Sequence, residues 1–448
     1  MSKERRVVVT GLGVISPAGI NVNEFWNNLV NGANKVNLLT EFNLPSRYFV
    51  YGAKIKNLKS KFKKSPYKSY LDKAMHFGLL AAEEAYLNSG INNNRCDIPL
   101  GKFGLFIGST TGGIDSVFHI AKDYFINTPL NVLKEFIYAV LSRGKPIPVH
   151  KTALIAKLRR DCSATNIIWK FSPGYWAAIL AHYFAIDGPV MSYCTSCYSG
   201  GEAFGKAFEY IQEGIIDVAL TGGLDAPIVL NNCLSFVLIG AASNWKGNPA
   251  ESCRPFSLDR CGMVFGEGAG FFVLESLEHA RKRKTKIYAE VLGYCATSDG
   301  NSMIAPEASA KRQTKAIGEA IVQAKINVSD IDYICCHGTG TVANDRAETL
   351  AIKNALGDHA YKIVANSIKS MIGHGFGAAT AIEILSTIKV LNHKLVPPTI
   401  NFGQRDPECD LNYAFNSPVQ LSRCNYALKT ASGFGGTNLA LVLKDWKE

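Results

Sequence analysis

Short apolar runs alternate along the chain with longer segments in which small and apolar residues recur at helical spacing. The apolar runs predict strands; they cover residues 6–13, 103–108, 190–194, 218–223, 267–274, 287–293, 332–335, 363–367 and 437–443. The longer segments predict helices, several of them ended by glycine; they cover residues 23–31, 74–89, 177–184, 199–211, 278–284 and 378–391. This alternation favours an α/β protein whose sheets are covered by helices on both faces.

The second half of the chain repeats the pattern of the first. Residues 287–293 resemble residues 6–13, and the order strand, tight turn, small-residue helix occurs both at 190–211 and at 363–391. Two copies of one α/β unit, joined near residues 277–285, account for this pattern. Chance similarity between apolar strands is the alternative.

One stretch combines this pattern with candidate chemistry. Residues 190–194 predict a buried strand, and the sequence Ser-Gly-Gly-Glu at 199–202 predicts a helix start with a capping box, in which Ser199 is the N-cap and Glu202 reaches back. Cys197 then lies just before a helix N-terminus, where unpaired N–H groups and the helix dipole favour thiolate over thiol. The alternative is a buried structural cysteine, the commonest role of a free cysteine.

The composition narrows the class of protein. With 448 residues, of which 47% are hydrophobic and 19% charged, the chain has the make-up of a globular protein with two or three packed units. No apolar stretch approaches the roughly 20 residues that a membrane helix needs. Because no apolar signal region follows the start, we expect a cytoplasmic protein without membrane insertion.

Cysteine spacing and charge bear on possible partners. The twelve cysteines lack the spacing of a disulfide framework, and Cys194 and Cys197 form a Cys-x-x-Cys pair without further ligands at metal spacing, so we expect reduced thiols and no metal site. The net charge of +11 suits an acidic partner or reflects a Lys-rich codon bias. The basic clusters at 59–68 and 281–284 are not interleaved with aromatic residues, so nucleic acid is not expected as a partner.

Three further motifs strengthen the interpretation of Cys197 as a reactive residue. They are Cys-His-Gly-Thr-Gly-Thr at 336–341, Lys-Ser-Met-Ile-Gly-His at 369–374, and Gly-Phe-Gly-Gly-Thr-Asn at 433–438. A lone histidine is usually a satisfied core residue, but here two lie in glycine-bounded turns. Together with a helix-opening cysteine, they indicate a catalytic or ligand-binding site.

These motifs, in this order, make the chain resemble the β-ketoacyl-acyl carrier protein synthases, close to the elongating type II branch of fatty acid and polyketide condensing enzymes. The resemblance runs from residue 7 to about residue 444 and includes Thr-Ser-Cys-Tyr-Ser-Gly at 195–200. It implies a thiolase-like fold of five αβαβα layers built from two pseudo-symmetric halves, at 1–277 and 285–448. It also implies a homodimer.

The resemblance assigns the central chemistry to four residues. Cys197 would take an acyl group from an acyl carrier protein as a thioester. The backbone N–H groups of Cys197 and Phe434 would form the oxyanion hole, and the Phe434 ring would swing when acyl chains arrive. His337 and His374 would donate hydrogen bonds to the thioester oxygen of malonyl carrier protein as it loses carbon dioxide, which requires a proton on the inward nitrogen of each ring.

Supporting roles follow from the same resemblance. Lys369 would pair with Glu348 and tune the two histidines, with a plain surface ion pair as the alternative. Thr339 and Thr341 would bind the pantetheine arm, unless they only form the turn, and Thr111 is a further expected substrate contact. No cofactor of the protein's own is needed, because the carrier protein supplies the phosphopantetheine arm.

Several positions depart from the family pattern. Tyr198 stands where a small residue is usual, Cys261 replaces an acidic residue, and Ser432 stands where elongating synthases often have a second phenylalanine. The residues at 340–345 look more like those of polyketide-type synthases. The segment 120–175 lacks the familiar sequence and belongs to the first half. These departures predict a specialised condensing enzyme.

Two other functions remain as alternatives. A non-catalytic partner subunit, similar to a chain length factor, usually lacks the nucleophile that Cys197 provides here. A cysteine-dependent acyltransferase or protease would use Cys197, His337 and either Asn344 or Asp345. This second alternative needs only one histidine and leaves His374 and the Gly-Phe-Gly-Gly loop unexplained.

Overall fold

The computed structural model describes residues 4–45, 48–56, 58, 71–93, 97–121 and 170–447. The strands are β1 Val7–Ile15, β2 Asn37–Leu38, β3 Tyr51–Gly52, β4 Phe103–Gly108, β5 Val190–Tyr193, β6 Val218–Asp225, β7 Gly268–Ser276, β8 Ala289–Ser298, β9 Tyr333–Cys335, β10 Val364–Asn366, β11 Leu395–Val396, β12 Val419–Gln420, β13 Tyr426–Gly433 and β14 Thr437–Asp445. The helices are α1 Val22–Val30, α2 Lys73–Asn88, α3 Ile114–Ala121, α4 Pro173–Tyr183, α5 Ser199–Gln212, α6 Leu230–Leu238, α7 Leu277–Lys282, α8 Lys311–Ala324, α9 Val342–Leu356, α10 Lys369–Ile372 and α11 Ala379–His393. The basic cluster at 59–68 and most of the divergent segment, residues 122–169, lie outside the described residues.

The main sheet shows the predicted internal repeat. Its strand order is β10-β9-β13-β14-β8-β1-β7-β6-β4-β5. Read outward from the centre, each half contributes five strands with the same sequence of two antiparallel and then two parallel pairings. The halves meet where Val7–Val9 of β1 pairs with residues 289–291 of β8. The predicted two-half α/β architecture is therefore confirmed.

Helices cover the sheet in layers. The central layer is formed by α5 and α11, which pack against each other and between the strands of the two halves. On the outside, α2 covers β1, β6 and β7, while α8 covers β8 and β14 and packs on α9. The buried apolar face of α11, which includes Ile384, Leu385 and Ile388, supplies part of the largest core cluster. Because α5 and α11 lie at the centre, the turns that precede them face each other.

Two local predictions were wrong. The strand β5 alternates between exposed and half-buried residues, because among the described residues it lies at the end of the sheet rather than inside it. The capping box does not form: the hydroxyl of Ser199 accepts from the Thr195 N–H and donates to the Ser196 carbonyl, and Glu202 accepts a hydrogen bond from Tyr294. Ser199 thus stabilises the turn before the helix instead of the first helical turn.

None of the helices in the described ranges is long and apolar enough to cross a lipid bilayer.

Candidate active site

The Cys197 turn joins β5 to α5. It is one turn of 3-10 helix at Ser196–Tyr198, and Ser196 has φ of 61°, a left-handed conformation that is uncommon for a residue with a Cβ atom. The Thr110 hydroxyl donates to the Ser196 carbonyl at 2.6 Å, which together with Ser199 holds the turn. This arrangement presents Cys197, only 7% exposed, to a cavity of about 370 Å³.

The cavity brings most of the predicted site residues together. Its walls include Cys197, His337, His374, Thr339, Thr341 and Phe434. Exposed apolar side chains of Ile239, Ile304 and Val342 lie at its mouth, so that the cavity opens to the protein surface. A thiol and two imidazoles, widely separated in sequence, therefore share one accessible pocket.

The hydrogen bonds of the two histidines fix which ring nitrogen has the proton. His337 Nδ1 lies 3.3 Å from the ammonium of Lys369, which is a donor only, and His374 Nδ1 accepts from the Phe376 N–H at 3.3 Å. Both Nδ1 atoms are therefore acceptors, and both neutral rings have their proton on Nε2. The ring centroids are 5.2 Å apart and the ring planes are nearly perpendicular, at 85°. This tautomer leaves the Nε2 proton of each ring available for the hydrogen bonds that the resemblance implies, and their formation to a substrate stays a prediction.

Burial and neighbouring charge keep both rings neutral. Burial lowers the pKa of His337 well below its ordinary value, and the ammonium of Lys369 lowers it further. The same two causes, in the same order, lower the pKa of His374 well below its ordinary value. Near neutral pH the pair can donate hydrogen bonds without a positive charge.

Lys369 does not pair with Glu348, contrary to the expectation from sequence. Its buried ammonium forms an ion pair with Glu383 and donates to the His337 carbonyl at 2.6 Å. The reason is geometric: Glu383 extends from α11 beside α10, whereas Glu348 extends from α9 beneath the turn after β9. Glu348 accepts from the N–H groups of His337 and Gly338 at 2.6 and 2.8 Å, so it orders the turn that presents His337.

Phe434 lies against the nucleophile through its backbone. A Cβ atom at Gly433 would lie 3.0 Å from the Cys197 nitrogen, so the lack of a side chain permits this close approach. Burial raises the pKa of Cys197, while hydrogen bonds from Ser196 and from the Phe434 N–H lower it to a smaller extent. The resting form is therefore the thiol, although the sequence led us to expect that the N-terminus of α5 favours thiolate. The Phe434 ring stacks on Phe236, with centroids 5.5 Å apart.

The threonines divide between two locations. Thr339 and Thr341 line the cavity, and their hydroxyl oxygens are 2.9 Å apart. Thr111 does not line it: its hydroxyl donates to buried Asp225 at 2.8 Å. Asp225 also accepts from the Gly377 N–H at 2.7 Å, which ties the loop after β4 to the start of α11. The predicted substrate contact of Thr111 is replaced by this structural role.

The three positions that depart from the family pattern also lie in different parts of the structure. Tyr198 belongs to the buried core and does not line the cavity, whereas Cys261 and Ser432 both do. Ser432 accepts a hydrogen bond from Gln313 and donates to Asn438. A polar wall thus stands where the family often has an aromatic ring.

Sequence reasoning missed two buried charged residues beside the histidines, Glu383 and Lys429. Glu383 is the only acidic residue of α11, and Lys429 is the only charged residue of β13. That pattern is itself a signal, because a buried charge needs a charged partner. Among the described residues, no three His, Cys, Asp or Glu side chains are grouped as metal ligands.

Comparisons with known proteins agree with this geometry. The family models for the β-ketoacyl synthase N-terminal and C-terminal domains match residues 4–280 and 288–403. A 3-oxoacyl-[acyl-carrier-protein] synthase 2 from Synechocystis is 33% identical over 448 residues, with 99% of each chain covered. The ketoacyl synthase alpha subunit of the tetracenomycin polyketide synthase from Streptomyces glaucescens is 34% identical over 451 residues, covering 99% of this chain and 98% of that one.

Solved structures give the same result. A type II polyketide ketosynthase in complex with its acyl carrier protein, AntDE:AntF, superposes with a TM-score of 0.83 at 32% identity, covering 99% of this chain and 100% of that one. A β-ketoacyl synthase from Burkholderia phymatum superposes with a TM-score of 0.81 at 26% identity, again covering 99% and 100%. The predicted thiolase-like fold is thereby confirmed, and the chain belongs to the β-ketoacyl synthase family.

Proposed function

We propose that this chain performs a decarboxylative condensation in the cavity beside Cys197. An acyl group on Cys197 would react with malonyl-acyl carrier protein to give β-ketoacyl-acyl carrier protein and carbon dioxide. One observation carries the proposal: a thiol and two neutral imidazoles, each with its proton on Nε2, line a single cavity. The related proteins described above act in fatty acid or polyketide synthesis, and this chain would act in one of these pathways.

The first step is acyl transfer to Cys197. The Cys197 sulfur attacks the carbonyl carbon of the acyl thioester, a new carbon–sulfur bond forms, and the carrier thiol leaves with the Cys197 proton. The N–H groups of Cys197 and Phe434 would hold the oxyanion, and the contact of the Phe434 N–H with the sulfur puts that donor at the reacting centre. One such donor contributes about 3 kcal/mol to the transition state.

The second step uses the histidine pair. The malonyl thioester oxygen accepts hydrogen bonds from both Nε2–H groups while the bond to the carboxylate breaks and carbon dioxide leaves. The electron pair passes to an enolate, whose negative oxygen is stabilised by these two donors. The enolate carbon then attacks the acyl-Cys197 carbonyl, and the Cys197 sulfur leaves as a thiolate that takes a proton from solvent.

The substrate would arrive on a carrier protein. Thr339 and Thr341 lie on the cavity wall, where their hydroxyls can bind the pantetheine arm. The arm belongs to the carrier, so the enzyme itself would need no cofactor. The net charge of +11 complements an acidic carrier surface.

A second copy of this chain would complete the assembly. In the part of the chain that the structure describes, β5 ends the main sheet, and its Val190 is 41% exposed. An exposed sheet edge of this kind is stabilised by pairing with another strand. A related ketosynthase has been solved with a chain length factor, so a mixed assembly is the outcome to test against the homodimer.

The direct test follows the acyl group. Wild-type protein is incubated with radiolabelled acyl carrier protein, label on Cys197 is located by peptide mass spectrometry, and malonyl carrier protein is then added while carbon dioxide is measured. The proposal predicts labelled Cys197, carbon dioxide and β-ketoacyl product, and loss of the product in Cys197→Ala. Label without carbon dioxide would indicate an acyltransferase, and neither label nor carbon dioxide would indicate a non-catalytic partner.

A further inference from the structure

Lys429 is a fully buried lysine that the condensation chemistry leaves unused. It is the only charged residue of β13, and 0% of its surface is exposed. Its ammonium is 2.9 Å from Glu383 Oε2 and donates to the carbonyls of Cys335 and Cys336, each at 3.3 Å, and of Thr430 at 2.5 Å. Four oxygen atoms therefore surround one ammonium group in the protein interior.

These contacts lead directly to His337. Cys335 and Cys336 are the two residues before it, and Lys429 holds both of their carbonyls. Lys369 holds the next carbonyl, that of His337 itself. The two ammonium groups are joined by Glu383, which faces Lys369 with Oε1 and Lys429 with Oε2. Three successive carbonyls are thus held by two lysines that share one carboxylate.

We propose that Lys429 is a positioning residue for His337: its ammonium fixes the end of β9 that presents the imidazole, and its positive charge adds to that of Lys369 in disfavouring an imidazolium. This role rests on the proposed use of His337 as a hydrogen-bond donor. Lys429 touches neither the cavity nor the reacting atoms, so it acts only through the histidine.

The electrostatics of the site support this role. The charged and titratable groups around His337 are Lys369, Lys429, Glu348, Glu383, His374 and Cys197. Burial opposes the charge of Lys429, yet the carboxyls of Glu383 and Glu348 help to raise its pKa above the ordinary value, so it stays an ammonium. Its charge in turn contributes to the lowered pKa of both His337 and His374. Without it, protonation of either ring becomes easier.

The test compares Lys429→Met, which removes the charge at similar length, with Lys429→Arg, which keeps it. Lys444→Met, in the neighbouring strand β14, is the matched control. We expect Lys429→Met to move the acid limb of the pH profile of kcat to higher pH, because the proton affinity of His337 rises when the neighbouring positive charge is removed. Lys429→Arg should keep the wild-type limb, and acylation of Cys197 should proceed in all three variants.

A second readout needs no substrate. In histidine-labelled protein, NMR titration should show the His337 pKa rising in Lys429→Met and unchanged in Lys444→Met. Because it measures the imidazole itself, this titration tests Lys429 even if the chain fails to condense malonyl carrier protein. An unchanged His337 titration in Lys429→Met, or an equal shift in Lys429→Arg, would overturn the proposal.

Discussion

Glu383 is the residue on which the buried charges beside the histidines depend, and Glu383→Gln tests that directly. The carboxylate faces two ammonium groups, and the side chains of Glu383, Lys369 and Lys429 are each at most 1% exposed. The substitution keeps the shape of the side chain but deprives two buried cations of the carboxylate that contacts both of them. Removing one partner of a buried ion pair costs about 3–5 kcal/mol, so we expect a loss of that size in the free energy of unfolding at pH 7.

The loss of unfolding free energy in Glu383→Gln should also depend on pH, and the direction of that dependence follows from the pKa of Lys429. In the wild type the pKa of Lys429 is raised, so its pairing stabilises the fold below the pKa of an unfolded lysine, and this contribution is lost as pH rises through the folded value. In Glu383→Gln the Lys429 ammonium loses the carboxylate that contributes most to raising its pKa, while burial still lowers that pKa, so the stability of the variant rises with pH. The difference in the free energy of unfolding between the wild type and Glu383→Gln should therefore become smaller from pH 7 towards pH 10.

Urea unfolding followed by circular dichroism measures this difference. The matched control is Glu41→Gln, which removes an ion pair with Lys54 at the surface, where the two side chains are 45% and 34% exposed. Exposed pairs contribute about 0–1 kcal/mol, so the control should change little. If Glu383→Gln lowers the free energy of unfolding no more than Glu41→Gln does, the buried charges do not stabilise this fold. The reasoning about their coupling to His337 then fails.

Three further predictions concern the cavity itself. His337→Ala should lower carbon dioxide release from malonyl carrier protein by about 10²–10³-fold, measured with labelled malonyl carrier, while Cys197 is still acylated; equal loss of both reactions would contradict the division of labour. Gly433→Ala should slow acylation of Cys197, because its Cβ would lie 3.0 Å from the Cys197 nitrogen and would displace the turn that holds the nucleophile, whereas Gly318→Ala, which meets nothing within 4 Å, should leave the acylation rate unchanged; mass spectrometry of the acylated protein over time measures both rates. Decarboxylation should be nearly independent of pH between about 6 and 8, because the pKa of each histidine lies well below its ordinary value; a steep fall near pH 6.5 would refute neutral donors.

The periodic parts of the fold could be predicted from the sequence. Strands such as β4 and β6 and helices such as α1 and α2 follow directly from apolar runs and glycine ends, and the repeat of strand, turn and small-residue helix indicated two halves. The edge position of β5 could not be predicted, because its sequence does not say which strands lie beside it. Strand order is a property of the whole sheet, and only the packed chain determines it.

The site residues were predictable where chemistry is local. Cys197, His337 and His374 stand in glycine-bounded turns, and the structure places all three on one cavity. The partner of Lys369 was not local: Glu348 and Glu383 are both buried acids near the turn, and only the folded chain places Glu383 of α11 at the Lys369 ammonium. The assignment of Thr111 failed for a similar reason, since Asp225 comes from a distant strand.

The central claim is that two neutral imidazoles present Nε2–H groups to the pocket of Cys197. Nitrogen NMR of histidine-labelled protein measures this directly, because protonated and unprotonated ring nitrogens resonate far apart. We predict that His337 and His374 have their proton on Nε2 and none on Nδ1 between about pH 6 and 8. An imidazolium, or a proton on Nδ1 of either ring in that range, would contradict the account.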